Sequence, residues 1–151
     1  MKRIVVLGLM IGLTFVFVAC SSEPPVEVAH GDVCKLENDD KVVMTEGYFK
    51  LGLSMYCSDT SGQYRCGLDF VSARDVEDGF SVDVVEGEGN NELSPLPDSY
   101  TDADMKIQSD SGETVTQNDK VRITGDLSVS QDPVSNDMVC YMYVDKVELL
   151  R

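Results

Sequence analysis

Alternation with a period of two restricts most of this chain to β structure. From Val43 to Cys57 every second residue reads Val43, Thr45, Gly47, Phe49, Leu51, Leu53, Met55, Cys57, with Glu46, Lys50 and Ser54 among the residues between. Successive side chains of a strand point to opposite faces of a sheet, so the run predicts one long strand with an apolar face. Gly47 and Gly52 inside it predict bends or a bulge. The pattern returns at Tyr64, Cys66, Leu68 and Phe70, and again at Phe80, Val82 and Val84, where Ser81 and Asp83 face away. Between the first two runs, residues 58–63 read as a turn-rich link containing Ser61-Gly62, which makes them a hairpin. Val121, Ile123, Gly125, Leu127 and Val129 form a fourth run. In the last, Cys140, Met142 and Val144 share one face before Val147 and Leu149 take the other, a phase change that predicts a bulge. Residues 87–98 read as a loop by composition, 105–109 as a weaker strand, 111–112 as a turn and 100–105 as at most a short helical turn.

Before all of this stands a different kind of segment. Lys2 and Arg3 precede fifteen uncharged residues, 4–18, and then Ala19 and Cys20. Positive, apolar, small is the order of an export signal. Fifteen residues fall short of the roughly 20 that a membrane-spanning helix needs, whereas Ala19 would also suit an ordinary signal peptidase. Phe17-Val18-Ala19-Cys20 resembles the lipobox of bacterial lipoproteins, with Phe where Leu is usual. The resemblance implies cleavage before Cys20, a diacylglycerol thioether on its sulfur, and acylation of the new amino group. Such a protein is anchored to its membrane and does not span it. Ser21 resembles the residue found in lipoproteins sent to the outer membrane, which implies the periplasmic face of that membrane in a host with two. The expected organisation is therefore a signal peptide at 1–19, a polar, proline-bearing tether at 20–30, and one domain at 31–151.

The whole chain has 12 basic and 27 acidic residues, a net charge of −15. Loss of Lys2 and Arg3 with the signal would leave 10 against 27, or −17. So acidic a surface repels phosphate backbones and disfavours nucleic acid as a partner.

Of the five cysteines, Cys20 is claimed by the lipid, leaving Cys34, Cys57, Cys66 and Cys140. An even number in a small exported domain reads as two disulfides, with three pairings open. There is no Cys-x-x-Cys pair and the sole histidine, His30, falls in the tether, so the spacing argues against a zinc site.

In order, the runs make a long glycine-interrupted strand, a hairpin partner, a third strand, a connection and two closing strands. The closing segments, Asp119-Lys120-Val121-Arg122-Ile123-Thr124-Gly125-Asp126-Leu127 and Tyr141-Met142-Tyr143-Val144-Asp145-Lys146-Val147-Glu148-Leu149, resemble those of small OB-fold domains in bacterial lipoproteins. This resemblance implies an all-β, five-stranded OB-like barrel, and with it the pairings Cys57 with Cys66 and Cys34 with Cys140. It brings no catalytic residue.

OB barrels often bind ligands on an outer face through stacked aromatics. Tyr48, Tyr56, Tyr141 and Tyr143 are the candidates for such a platform, with cross-strand packing the plainer role. Two groups of acids, Glu77, Asp78, Asp83, Glu86 and Glu88, then Asp98, Asp102 and Asp104, offer the oxygen ligands that calcium takes, but neither matches a calcium-loop motif. No Ser-His-Asp set can be assembled with His30 outside the domain. The expectation is a non-enzymatic, lipid-anchored envelope module without metal or cofactor, held to the membrane through Cys20 and serving an envelope protein partner. The alternative is a lipoprotein that binds a small ligand or a divalent cation.

Overall fold

A computed structural model describes residues 23–52 and 55–151. The signal segment, the lipobox and Cys20 lie outside the described residues, as does Leu53 of the first alternating run. Within them the chain is almost wholly β, with ten strands in one sheet and three short 3-10 turns at His30–Asp32, Leu36–Asn38 and Asp102–Asp104.

Five strands are long: β2 (Val42–Lys50), β4 (Gln63–Val71), β5 (Phe80–Glu86), β9 (Val121–Gln131) and β10 (Met138–Leu149). Their ladders form a closed circuit. β2 pairs with β4 and β9, β9 with β10, β10 with β5, and β5 with β4. The β5–β10 contact is parallel and the other four are antiparallel. The other five strands are short: β1 (Val26–Glu27), β3 (Cys57–Thr60), β6 (Glu92–Leu93), β7 (Ile107–Gln108) and β8 (Thr114–Val115). Ten strands therefore stand where the sequence predicts five.

Alternation gives the core directly. Val43, Phe49, Leu68, Phe70, Val82, Val84, Val121, Ile123, Leu127 and Val129 are all buried. Phe70 meets Phe49 and Phe80 edge to face, with ring centroids 5.2 and 5.8 Å away, a geometry that suits the ring quadrupoles. At Gly47 the strand changes partner, from β9 on one edge to β4 on the other. A Cβ there would meet the Val71 carbonyl and the Phe70 ring, so glycine allows the coiled close approach that its position predicts.

Four expectations need correction. The long first strand stops at Lys50, and Cys57 belongs to a separate short strand. The turn-rich link is itself a tight hairpin: β3 pairs with β4 from Cys57↔Cys66 to Thr60↔Gln63 around Ser61-Gly62, whose φ angles are 56° and 82°. Positive φ at both positions is the turn that matches strand twist. The tether is partly docked, since β1 adds in parallel to β2 and His30 packs on Phe70 and Phe80 while its Nε2 lies 3.1 Å from the Phe70 carbonyl. Finally, the β9–β10 register shifts between Val144 and Lys146, so Val147 returns to the same buried side as Val144 instead of the opposite one. The predicted bulge is present, and it is what restores the phase.

The connection from β5 to β9 is more than a loop. It brings Leu93, Met105, Ile107 and Val115 into the core, all fully buried. It also covers β10 beyond its pairing with β5: the Asn91 side chain accepts from the Val147 amide at 2.8 Å, and the Asp110 amide donates to the Val147 carbonyl at 2.7 Å. An edge that would otherwise be bare is thereby satisfied.

Two disulfides brace the fold, Cys57–Cys66 within the β3–β4 hairpin and Cys34–Cys140 across 106 residues. Both are the pairings that the OB resemblance implies.

Candidate binding face

The register of β4, β5, β10 and β9 decides which polar side chains meet outside the sheet. Gly67 pairs with Asp83, Asp83 with Tyr143, and Tyr143 with Asp126. Gly67 has no side chain, so this outward row is low at one end. Arg65, two residues earlier on the same face of β4, leans across it. Its guanidinium lies 5.3 Å from the Tyr143 ring centroid and donates to the Asp83 carbonyl at 3.3 Å and to Gln63 at 3.0 Å. A cation over an aromatic face is attracted by the ring quadrupole.

Tyr141 and Tyr143 occupy successive outward positions of β10. Their rings meet edge to face at 5.1 Å, and the Tyr141 hydroxyl donates to that of Tyr143 at 3.3 Å. That hydrogen bond, with burial, raises the Tyr141 pKa above its ordinary value. Beside them a cavity of about 310 Å³ is lined by Thr60, Ser61, Gln63, Arg65, Asp126, Tyr143 and Asp145. Asp145 is the residue passed over in the β10 bulge. Partial desolvation and the nearby Asp126 raise its carboxyl pKa, while Arg65 pulls the other way. Asp83 is also raised, again by desolvation, with Arg65 opposing.

The four candidate tyrosines do not make one platform. Tyr141 and Tyr143 form the aromatic pair of this face. Tyr48, opposite Val71, opens on a different cleft with Lys50, Arg74 and Asn118, and Tyr56 is 77% exposed. Arg65, Asp126 and Asp145 went unnoticed in the sequence. Their signal was the outward phase of the alternation, which becomes informative only once the strand order sets β4, β5, β10 and β9 side by side.

The acids proposed for calcium do not converge either. Among the described residues, the three-residue group close enough to hold a metal is Cys57, Cys66 and Glu86, and its two sulfurs are joined to each other. Asp104 is instead spent on a turn, where its carboxylate accepts from the Thr101 amide at 2.8 Å and hydroxyl at 3.0 Å.

No family model and no curated protein matches the chain. Among solved structures it is similar to one assigned as an aspartyl-tRNA synthetase from Leishmania major Friedlin, with 12% sequence identity and a TM-score of 0.42. The match covers 87% of this chain, which spans 22% of the length of that one.

Proposed function

We propose that this protein is a non-enzymatic binding module of a bacterial cell envelope, an OB-type barrel held to its membrane by lipid on Cys20. The closed circuit of β2, β4, β5, β9 and β10, with β5 parallel to β10, is the observation that carries the OB reading. The short strands are then additions to that barrel. The OB reading gives the outward face of β4, β5 and β10 its role, because such barrels use that face for ligands. Arg65, Tyr141 and Tyr143 supply an aromatic and cationic surface, and Asp126 and Asp145 an acidic rim, on which an envelope protein partner would seat. The −17 charge expected after cleavage makes nucleic acid a poor partner. Two disulfides suit an oxidising compartment.

Metabolic labelling with a fatty acid tests the anchor. Label enters the native protein and not Cys20→Ser; equal labelling of the two refutes it. Crosslinking in intact envelopes tests the module: a partner is recovered by the native chain and reduced by Arg65→Ala with Tyr143→Ala. Recovery unaffected by these changes removes the face from the proposal. The second reading, a protein that binds a small ligand or a divalent cation, draws on the hollow beside Tyr143, whose lining includes the carboxylates of Asp126 and Asp145.

A further inference from the structure

The barrel has one apolar end, and the chain enters the domain beside it. At the tip of the β9–β10 hairpin Val134 is 94% exposed, and Met138 and Val139 are exposed at the base of the turn. Leu36, 55% exposed, joins them: its turn packs along β9, and Cys34, two residues before it, is bonded to Cys140, next to Val139. These four are most of the large exposed apolar side chains among the described residues, the others being Val26, Tyr56 and Tyr64. Exposed apolar side chains gathered at one end of a charged domain mark a surface that meets something.

The polar groups of the tip are occupied internally. The Asp132 carboxylate accepts from the amides of Val134 and Ser135 at 2.7 and 2.8 Å, and Gln131 donates to the Asn136 side chain at 2.9 Å. Val134 is thus held outward by a turn that needs no outside partner.

The direction of the N-terminal segment selects the occupant. β1 runs parallel to β2, so the chain read backwards from Val26 heads toward the start of β2. Glu23 and Pro24 line a hollow with Asp40, Lys41 and Val42. The Lys41 carbonyl accepts from the Leu127 amide, and Leu127 lies four residues before Gln131, about 13 Å along the strand at the usual rise. Cys20 stands three residues before Glu23, a reach of at most about 10 Å. The lipid-bearing residue and the hairpin tip can therefore meet one plane.

Resting on the lipid-anchor reading, we infer that this end of the domain docks on the lipid surface, with Val134, Met138, Val139 and Leu36 in the headgroup layer. Few side chains are involved, so the covalent tether supplies the local concentration that makes their contact persistent. Along the chain, Asp32, Glu37, Asp39, Asp40, Asp132 and Asp137 neighbour these residues against Lys35 and Lys41, so the preferred surface is zwitterionic and an anionic one weakens the contact. The outward face of β4 and β10 is then carried upright from the membrane and stays free.

The chain has no tryptophan, so a single introduced one reports on its own surroundings. Full-length lipidated protein carrying Val134→Trp, and separately Tyr64→Trp, is reconstituted in phosphatidylcholine vesicles with and without a bilayer-resident quencher. Tyr64 is exposed and adjoins Arg65, whose guanidinium lies over Tyr143, five residues along β10 from Met138 or about 17 Å. Blue-shifted, quenched emission at position 134 with solvent-like emission at position 64 is the expected result, and Val139→Trp should repeat it. With fatty-acid label present, solvent-like emission at both positions, or equal quenching at both, overturns the docking and leaves the anchor standing. Absence of label overturns the anchor and the docking with it.

Discussion

Cys34 is joined to Cys140, tying the turn before the first long strand to the start of the last one. The bond closes a loop of 106 residues, whereas Cys57–Cys66 spans nine. In the chain-entropy account the long loop stabilises by about 4 to 5 kcal/mol and the short one by about 3 kcal/mol or less. Cys34→Ala with Cys140→Ala should therefore lower the urea midpoint more than Cys57→Ala with Cys66→Ala. Equal losses would mean that strain or residual unfolded structure, and not loop closure, sets the contribution.

Gly125 sits directly against the carbonyl of Tyr143, where a Cβ would overlap backbone atoms of Tyr143 and Val144. Backbone cannot step aside as a flexible side chain can, so Gly125→Ala should cost about 1 to 3 kcal/mol in the way of other overpacked sites. Gly31, with nothing within 4 Å of its would-be Cβ, is the control, and Gly31→Ala should leave the thermal midpoint nearly unchanged.

Acid should act on two carboxylates in opposite senses. Glu46 accepts from Lys120 at 2.9 Å and Arg122 at 2.7 Å. Those bonds hold its pKa below the ordinary 4.5. Its contribution is complete above that value and lost as pH falls through the lower folded one. Glu46→Gln should cost less than about 1 kcal/mol at neutral pH, since the pair is solvent-screened, and nothing in strong acid. Asp145 is raised above its ordinary 3.8 by desolvation, then Asp126, so its ionisation opposes folding. Asp145→Asn should raise stability at neutral pH, with the gain fading as pH falls through the raised folded value and gone below the ordinary 3.8. Urea titrations at several pH values would separate the two slopes.

Calcium separates the two functional readings. A cation held by Asp126 and Asp145 would raise the thermal midpoint by mass action, and Asp145→Asn would abolish the rise. A midpoint unmoved by calcium removes that form of the second reading.

Much of the sheet was legible because alternation is local. Val121 to Val129 and Phe80 to Val84 reveal their buried sides without knowledge of any partner strand. The end of β2 at Lys50 was not legible, since the alternation runs on to Cys57 while the ladder does not; pairing decides, and pairing is non-local. The phase change in β10 revealed a bulge but not its effect, which depends on β9 opposite. Leu93 sits in a segment that composition marks as loop and Val115 in one that no pattern marks, although each fills the core. Of the candidate face, Tyr141 and Tyr143 were visible as neighbours in one strand, whereas Arg65 and Asp126 join them only through a strand order that four separate ladders create.

That strand order has a consequence for how the polypeptide is made. β10 is the partner of both β9 and β5, and it also carries Cys140. Without residues 138–151 the chain is an open sheet with two bare edges, β5 and β9, and an unpaired Cys34, a state prone to wrong association. A premature stop codon just before Met138 would spare more than nine-tenths of the chain and still leave nothing that closes.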